Sequence, residues 1–467
     1  MSAASAALPR LKFLDVTLYA VVAAIGFRWL PVAAAVGPAS LPLWVLAFFT
    51  FYIPLSVATV EMTSRFAGGG SLYGWTRGTF GPLAGFVCGW FYWISLFPYF
   101  AGIVYFLSGV IFSAFGVAKP APMLFLSLSV AVIAFVGGLQ LLGLRFGKWI
   151  TNLGGAGTWL VFGFLLAAAG LLLARGASAT NFAAASYVAP FNFDTAILWG
   201  TIVFAICGSE TVAFLRNDIE GGLRTIIRVL TALGLAVMLI YMIGTATMLV
   251  ILPKAALTRL SGLPDALTAG FARVGLPSLA TFALALFALS NAGGLTAWFG
   301  IATRLPEQAG IDNFLPPVFA RRNRRTGAPV HAILLQSALT IAMIVLGQAG
   351  EGAAAAYDFL VAMSVLTTCI PYIFVFLAYL ARHRWPQTAG AWLPPGGART
   401  GLFLGAIGLV SSVIATGCTL IPSGNDQHPL ASFLKIVIAT LVMTAVGLFC
   451  YWAGNRRRRA SPHIAGA

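Results

Sequence analysis

The strongest constraint in this sequence is a series of long apolar runs separated by short polar connections. A helix needs about 20 apolar residues to cross the ~30 Å hydrocarbon layer of a membrane. Twelve runs reach that length, at about residues 14–36, 41–65, 83–115, 121–140, 151–174, 195–216, 225–252, 276–303, 328–347, 356–381, 401–421 and 431–453. The runs predict an all-α, polytopic membrane protein with twelve transmembrane helices, which we number spans 1 to 12.

Composition excludes the other broad classes of protein. The chain is 60% hydrophobic and only 9% charged, whereas soluble domains are about 25% charged. The net charge of +16 would suit a nucleic-acid partner, but the basic residues stand in short clusters between apolar runs. The positive-inside rule of membrane proteins explains such clusters. We therefore expect no nucleic-acid partner.

The distribution of basic residues predicts the orientation in the membrane. With a cytoplasmic N-terminus, 21 of the 28 Lys and Arg residues fall in cytoplasmic segments and 6 in external ones, with Arg28 left inside span 1. Cytoplasmic loops carry the excess of basic residues, so we expect a multi-pass protein of the cell membrane with both termini in the cytoplasm. The basic clusters at residues 321–325 and 456–459 would then contact anionic membrane lipids.

The sequence contains no pattern typical of an enzyme or a metal site. Its five cysteines lie within apolar runs without CxxC or Cys/His spacing, and its four histidines lie at span edges, in loops or in the tail. HExxH and GxSxG motifs are absent. We therefore expect no metal, no cofactor and no catalytic residues.

Span 6 carries an acid in the middle of its apolar run. Gly208, Ser209 and Glu210 follow the stretch WGTIVFAIC. A charge at the bilayer centre costs about 2.5 to 3.5 kcal/mol on insertion scales, so such residues usually face a cavity and act on substrate, ion or proton. Gly208 weakens the helix locally. Either the helix is broken around a functional acid, or it is only kinked and Glu210 is bonded structurally to a neighbouring helix.

Span 1 carries a comparable interruption. Gly26 and Pro31 bracket residues 27–30, and a proline inside a helix removes a backbone hydrogen bond and clashes with the preceding turn. The two interruptions lie about 180 residues and five spans apart. A transporter made of two inverted five-helix repeats would place its discontinuous helices this way. An isolated proline kink in a packed bundle is the alternative.

Two connecting segments resemble those of a known superfamily. Residues 61–90 contain EMTSRF, GGGSLY, FGP, GF and GW in that order, and residues 314–330 read FLPPVFARRNRRTGAPV. These stretches are similar to the connections between helices 2 and 3 and between helices 8 and 9 of the amino acid, polyamine and organocation transporter superfamily. Glu220 and the basic residues after span 6 fit its acidic-then-basic loop. The chain resembles an amino acid permease of that superfamily over spans 1 to 10.

The resemblance implies a LeuT-like fold of two inverted five-helix repeats with discontinuous helices 1 and 6. Residues 1–393 would form the ten-helix core, with repeats at about 14–174 and 195–381, and residues 394–467 would form peripheral helices 11 and 12 and a basic tail. The implied function is secondary active transport of amino acids or related amines, coupled to protons or to exchange. A polyamine or organic cation transporter and a ligand sensor without transport are the alternatives.

The resemblance also implies a substrate site between the two breaks. Gly208 and Glu210 match the Gly-x-Glu of helix 6. We expect Glu210, an acid in a poorly solvated cavity, to be the proton-coupling residue. Phe204 and Trp298 fall where arginine/agmatine antiporters carry a stacking and an occluding aromatic, and Tyr92 falls at an outer-gate tyrosine. Aromatic faces can cover a site and bind a cation. The implied substrate-binding residues are Gly26, Phe27, Arg28, Phe204, Gly208, Ser209 and Trp298, with Tyr92 and Trp298 as gating residues.

Span 1 departs from the superfamily pattern. Residues 24–26 read Ala-Ile-Gly where Gly-Ser-Gly is usual, so a serine hydroxyl is lost. Arg28 is an addition with three interpretations: it contacts a substrate carboxylate, pairs with Glu210, or reaches to the membrane surface. Span 5 lacks the lysine that replaces a sodium ion in some relatives, and Ser290 and Asn291 alone do not establish a sodium site.

Overall fold

A computed structural model describes the chain over most of its length. It covers residues 11–66, 71–117, 119–142, 144–189, 192–216, 219–303, 306, 311, 314–323, 326, 328–349, 352–386, 388, 390–421 and 428–460. Among these residues the structure is helical, and its one extended pairing is a bridge between Leu11 and Ile219. The motif glycines at 68–70 lie outside the described residues.

Sixteen α-helices make up the described fold. In chain order they are α1 (Phe13–Ala24), α2 (Trp29–Ala34), α3 (Ser40–Arg65, with a π-helical turn at Phe48–Tyr52), α4 (Leu72–Phe80), α5 (Pro82–Ala114), α6 (Pro122–Leu142), α7 (Leu144–Ala174), α8 (Phe193–Ala205), α9 (Thr211–Phe214), α10 (Gly222–Ile251), α11 (Gly262–Val274), α12 (Ser278–Ala302), α13 (Val330–Gln348), α14 (Ala353–Leu380), α15 (Gly397–Cys418) and α16 (Pro429–Ala460). The predicted all-α class is confirmed.

Ten of the described helices are long and apolar enough to cross a membrane. They correspond to predicted spans 2 to 5 and 7 to 12, so the chain is a multi-pass membrane protein. Spans 1 and 6 are absent from the ten because each is divided, span 1 into α1 and α2 and span 6 into α8 and α9. A total of twelve crossings, and the inverted repeat, remain predictions.

The centre of the bundle is formed by two long helices that contact each other, α5 and α14. Their most apolar windows are 83% and 72% buried, against 17% for α16, which lies on the outside of this pair. The divided segments pack nearby: α8 contacts α2 and α14, while α1 and α2 contact α10. The two interruptions are therefore brought together inside the bundle.

The connection between spans 7 and 8 contains a helix that the hydropathy pattern did not predict. Helix α11 buries Leu263, Leu267 and Phe271, which are four residues apart and share one helix face. That face packs on α7 and α12. Thirteen residues cannot cross a membrane, so an apolar-run search overlooks this helix.

Candidate functional site

Span 1 is interrupted between α1 and α2. Helix α1 ends at Ala24, residues 25–28 are non-helical, and α2 begins at Trp29. Pro31 explains the interruption, because it has no N–H to extend a preceding helix and is tolerated in the first turn of a new one. At Gly26 the packing is close, since a Cβ built there would lie 3.0 Å from Nε1 of Trp29. The predicted break is present.

Span 6 is interrupted between α8 and α9. Helix α8 ends at Ala205, and α9 begins at Thr211. Between them Gly208 has a φ of +102°, a backbone conformation that favours glycine because it has no Cβ. The hydroxyl of Thr211 donates to the Gly208 carbonyl at 2.5 Å. The helix is therefore broken rather than kinked.

The hydroxyl of Tyr241 joins the two interruptions. It accepts a hydrogen bond of 3.0 Å from the Gly26 N–H and lies 3.2 Å from the carbonyl oxygens of both Ala24 and Ala205. Its ring is fully buried in α10 and stacks on Trp44 with the ring centroids 4.5 Å apart. Tyr241 thus ties span 1 to span 6. Sequence reasoning missed it, because a tyrosine within an apolar run carries no local signal.

The carboxylate of Glu210 is enclosed by donors from two other helices. Its Oε1 atom accepts hydrogen bonds from the hydroxyls of Tyr92, on α5, at 3.0 Å and Tyr372, on α14, at 2.9 Å. Its Oε2 atom accepts the Gly208 N–H at 3.2 Å. Glu210 is fully buried, and these three bonds offset the loss of water around its oxygens. Tyr92 was expected as a gate, whereas Tyr372 was not anticipated.

Arg28 stands at the centre of an aromatic group, the Arg28 cluster, formed with Trp29, Tyr99 and Phe204. The guanidinium carbon lies 4.1 Å from the Trp29 ring centroid and 4.6 Å from that of Tyr99. The Phe204 ring meets the Trp29 ring edge-on at 5.3 Å and the Tyr99 ring at 6.0 Å. Residues from α2, α5 and α8 therefore form one cation–π assembly at the breaks.

Two of the three sequence interpretations of Arg28 disagree with this geometry. Arg28 makes no ion pair with Glu210, whose described partners are Tyr92, Tyr372 and the Gly208 N–H. It does not reach to a membrane surface either, because it is 5% exposed and lies at the break. The internal Arg28–Glu210 pair is thus wrong for this conformation. Contact with a substrate carboxylate stays a prediction.

The amino acid permease family matches this chain over residues 11–447. The chain belongs to that family. The permease is 23% identical over 421 residues to an uncharacterised transporter of Legionella pneumophila, covering 88% of this chain and 89% of the relative. It is also 23% identical over 422 residues to a probable agmatine/putrescine antiporter of Lactococcus lactis, covering 89% of this chain and 88% of that protein.

A solved transporter shares the fold of the permease. The crystal structure of the Eremococcus coleocola manganese transporter, in complex with an aromatic bis-isothiourea substituted compound, aligns with a TM-score of 0.56. The alignment covers 95% of this chain and 94% of that one at 13% sequence identity. The similarity therefore extends over the whole bundle, at the level of fold.

The other predicted site residues of the permease, Phe27, Ser209 and Trp298, differ in their surroundings. Phe27 is buried but turns to α7, where its ring stacks on Phe162 at 5.0 Å. Ser209 is buried, and its hydroxyl has no hydrogen-bond partner among the described residues. Trp298 is partly buried on α12 and makes no ring contact within the described part of the chain. The structure thus groups Arg28 with Phe204 through the rings of Trp29 and Tyr99, and shows no ring contact of Trp298 with them.

A second buried acid of the permease organises the end of the bundle where Leu11 lies. The Glu61 carboxylate, on α3, accepts hydrogen bonds from Arg65 at 3.2 Å, from Tyr379 at 2.8 Å and from Arg382 at a short distance. Glu61 is fully buried. These four residues, the Glu61 cluster, join the ends of α3 and α14. The EMTSRF motif contains Glu61 and Arg65, but their partners Tyr379, on α14, and Arg382, just after it, were not predicted.

Proposed function

We propose that this permease is a secondary active transporter that moves amino acids or related amines across the cell membrane by alternating access. One observation carries the proposal: two broken helices meet at Tyr241, with Arg28 and Glu210 within the breaks. In secondary transporters, broken helices at the membrane midplane provide backbone groups and helix ends for substrates and ions. The names of the two relatives support transport as the general function.

The substrate is proposed to bind beside the Arg28 cluster. The N–H groups of Gly26 and Gly208 are already bound to Tyr241 and Glu210, so neither is free for a ligand in this conformation. Ser209 offers a buried hydroxyl without a described partner, and a buried polar group gains most when a ligand completes its hydrogen bonds. Phe204 would supply a flat apolar surface.

Glu210 is proposed to couple transport to protons. Its carboxylate links α5 and α14 through the hydroxyls of Tyr92 and Tyr372. Protonation converts one acceptor oxygen into a donor, so either the tyrosine bonds to Oε1 or the Gly208 N–H bond to Oε2 would have to rearrange, and with it the contacts at the break. A coupling of about 1 to 3 kcal/mol would change affinity about 5- to 150-fold.

A polyamine or organic cation transporter is the second candidate. The Lactococcus lactis relative is named a probable agmatine/putrescine antiporter, and the rings of Trp29, Tyr99 and Phe204 would suit a cationic ligand. A sensor that binds ligand without moving it would use the same site. Measured flux separates these candidates.

Uptake into proteoliposomes tests the proposal. Purified permease would be reconstituted and supplied with labelled amino acids and polyamines, with and without a pH gradient and with and without internal unlabelled solute. We expect uptake of at least one of these solutes above that of protein-free liposomes. A control variant is Gly208→Val, because valine is strained at the +102° φ of this position. Binding without uptake would instead identify a sensor.

A further inference from the structure

The guanidinium of Arg28 is buried without a neighbouring carboxylate. Arg28 is 5% exposed, and in the described part of the chain no Asp or Glu oxygen lies within 4.0 Å of it. Its Nη2 atom is buried and has no hydrogen-bond partner there. A buried charge is strongly unfavourable unless it is paired and hydrogen-bonded. The surroundings of Arg28 therefore favour an anionic ligand.

The nearest acidic groups are committed elsewhere. Glu210 accepts hydrogen bonds from Tyr92 and Tyr372. Asp358, next to the buried Tyr357 on α14, pairs with Arg259 at 3.4 Å. Neither acid forms an ion pair with Arg28 within 4.0 Å. A carboxylate brought by the transported solute would do so, and the planar guanidinium can bind both of its oxygens at once.

The aromatic rings that would attract a cationic solute are already occupied by the protein. Trp29 and Tyr99 hold the Arg28 guanidinium at 4.1 and 4.6 Å, distances typical of cation–π contacts. Helix α5 leaves room for the guanidinium at Gly102, where a Cβ would lie 3.2 Å from Nη1 of Arg28. A second cation at this place would meet a fixed like charge at short range.

We infer that Arg28 acts as a tethered cation that sets the charge selectivity of the permease. The solutes it selects carry a free carboxylate and no net positive charge, and ornithine-like amino acids and diamines are rejected. This inference rests on the proposed transport function, because it concerns the same site. It also means that the permease does not accept cations of the kind for which its Lactococcus lactis relative, a probable agmatine/putrescine antiporter, is named.

Four solutes of similar chain length but different charge test the inference on the wild-type protein. Glutamate is negative, glutamine neutral, ornithine singly positive and putrescine doubly positive at neutral pH. Their affinities would be measured by calorimetry on the permease in lipid nanodiscs, in chloride-free buffer. We expect glutamate or glutamine to bind about tenfold or more tightly than ornithine and putrescine, since one hydrogen-bonded charge contact is worth that factor or more.

Removing the positive charge of Arg28 should reverse the order of the solute affinities. In Arg28→Gln the rings of Trp29 and Tyr99 become free, so ornithine or putrescine should gain affinity while glutamate loses about tenfold or more. Arg28→Lys keeps the charge but not the two-point geometry, and should retain the wild-type order with weaker carboxylate binding. Arg228→Gln is the matched control, because Arg228 is exposed and lies over the Phe13 ring, 4.9 Å from its centroid and away from the breaks.

The two proposals fail in different ways. Tight binding or uptake of putrescine or ornithine by the wild-type protein, without glutamate or glutamine, would overturn the inference and leave transport standing. An unchanged order of affinities in a folded Arg28→Gln variant would overturn it as well. Binding of carboxylates in the expected order without any flux in proteoliposomes would support the inference and contradict the transport function.

Discussion

At the scale of single residues, Glu210 and Arg28 are charged side chains that lie 182 positions apart in the sequence. Both lie at the helix breaks, but each has its own set of partners. Glu210 is held by tyrosine hydroxyls and a backbone N–H, and Arg28 by aromatic faces. Each charge is therefore stabilised by uncharged groups. Either can exchange partners with a solute or a proton without first breaking an ion pair.

Glu210→Gln tests the proton role of the acid. Glutamine keeps the shape of the side chain and cannot titrate, so we expect the pH dependence of uptake to flatten over the range that the wild-type responds to. The variant would be assayed in proteoliposomes across pH, after size-exclusion chromatography shows that it is folded. A folded Glu210→Gln permease with the wild-type pH profile would falsify the proton role and leave Glu210 as a structural acid.

Phe204→Leu and Trp298→Leu test the predicted aromatic surfaces. Phe204 contacts the rings of Trp29 and Tyr99, so its replacement should raise the KM for transport about tenfold, the order of an aromatic contact of 1 to 1.5 kcal/mol. Trp298 makes no ring contact in the described structure. If Trp298→Leu also raises the KM, we would infer that this ring covers the site in another conformation. Normal kinetics in both variants would remove these rings from the site.

At the scale of helices, one hydroxyl on α10 bonds to both broken segments. Tyr241→Phe removes the acceptor of the Gly26 N–H and leaves that group buried, which costs about 1 to 3 kcal/mol. We expect lower thermal stability and a loss of transport, because the spacing between the breaks is no longer fixed. Tyr52→Phe is the control, because its hydroxyl donates to the Leu230 carbonyl of α10 at 2.7 Å and bonds to the backbone of neither break.

A stability loss of equal size in both tyrosine variants, with transport lost only in Tyr241→Phe, would match this expectation. Equal transport in the two would show that the hydroxyl of Tyr241 has no special role at the breaks.

The Glu61 cluster links the end of α3 to the end of α14. Glu61→Gln leaves Arg65 and Arg382 without their shared carboxylate, and breaking a buried pair costs about 3 to 5 kcal/mol. Arg382→Gln leaves Glu61 paired with Arg65 alone, so we expect it to cost less. The double variant should be less damaged than the sum of the two, with a coupling of about 0.5 to 3 kcal/mol. Unfolding of all four proteins in detergent would measure the coupling. Strict additivity would show that the two residues do not stabilise each other.

At the scale of the whole molecule, the orientation remains a prediction from charge. The Glu61 cluster and the bridge between Leu11 and Ile219 lie at the same end of the bundle, and the 21 to 6 bias in basic residues places that end in the cytoplasm. Cysteines introduced at Ser5 and Ala460 should resist impermeant thiol reagents in intact cells and react after permeabilisation. Labelling of either cysteine in intact cells would overturn the orientation.

Features that depend on residues near one another in the chain could be predicted from the sequence. Ten apolar runs form continuous helices close to the predicted limits, because the bilayer core admits only backbone whose hydrogen bonds are made within the segment. The breaks in spans 1 and 6 were also predictable, since Pro31 lacks an N–H and Gly208 tolerates a positive φ. Family membership likewise follows from local motifs such as EMTSRF.

Which side chains meet inside the bundle depends on the packing of the helices and could not be predicted from the sequence. Tyr372 lies 162 positions from Glu210, and Tyr241 lies 215 positions from Gly26, so no local pattern indicates either contact. The same is true of the pairing of Glu61 with Arg382, 321 positions away. The ion pair between Arg28 and Glu210, one of the three interpretations of Arg28, is wrong for the same reason. Opposite charge makes a pair possible, but the packing of the helices decides which groups are neighbours. Here the aromatic rings of α2 and α5 lie 4.1 and 4.6 Å from the guanidinium of Arg28, and no described carboxylate forms an ion pair with it.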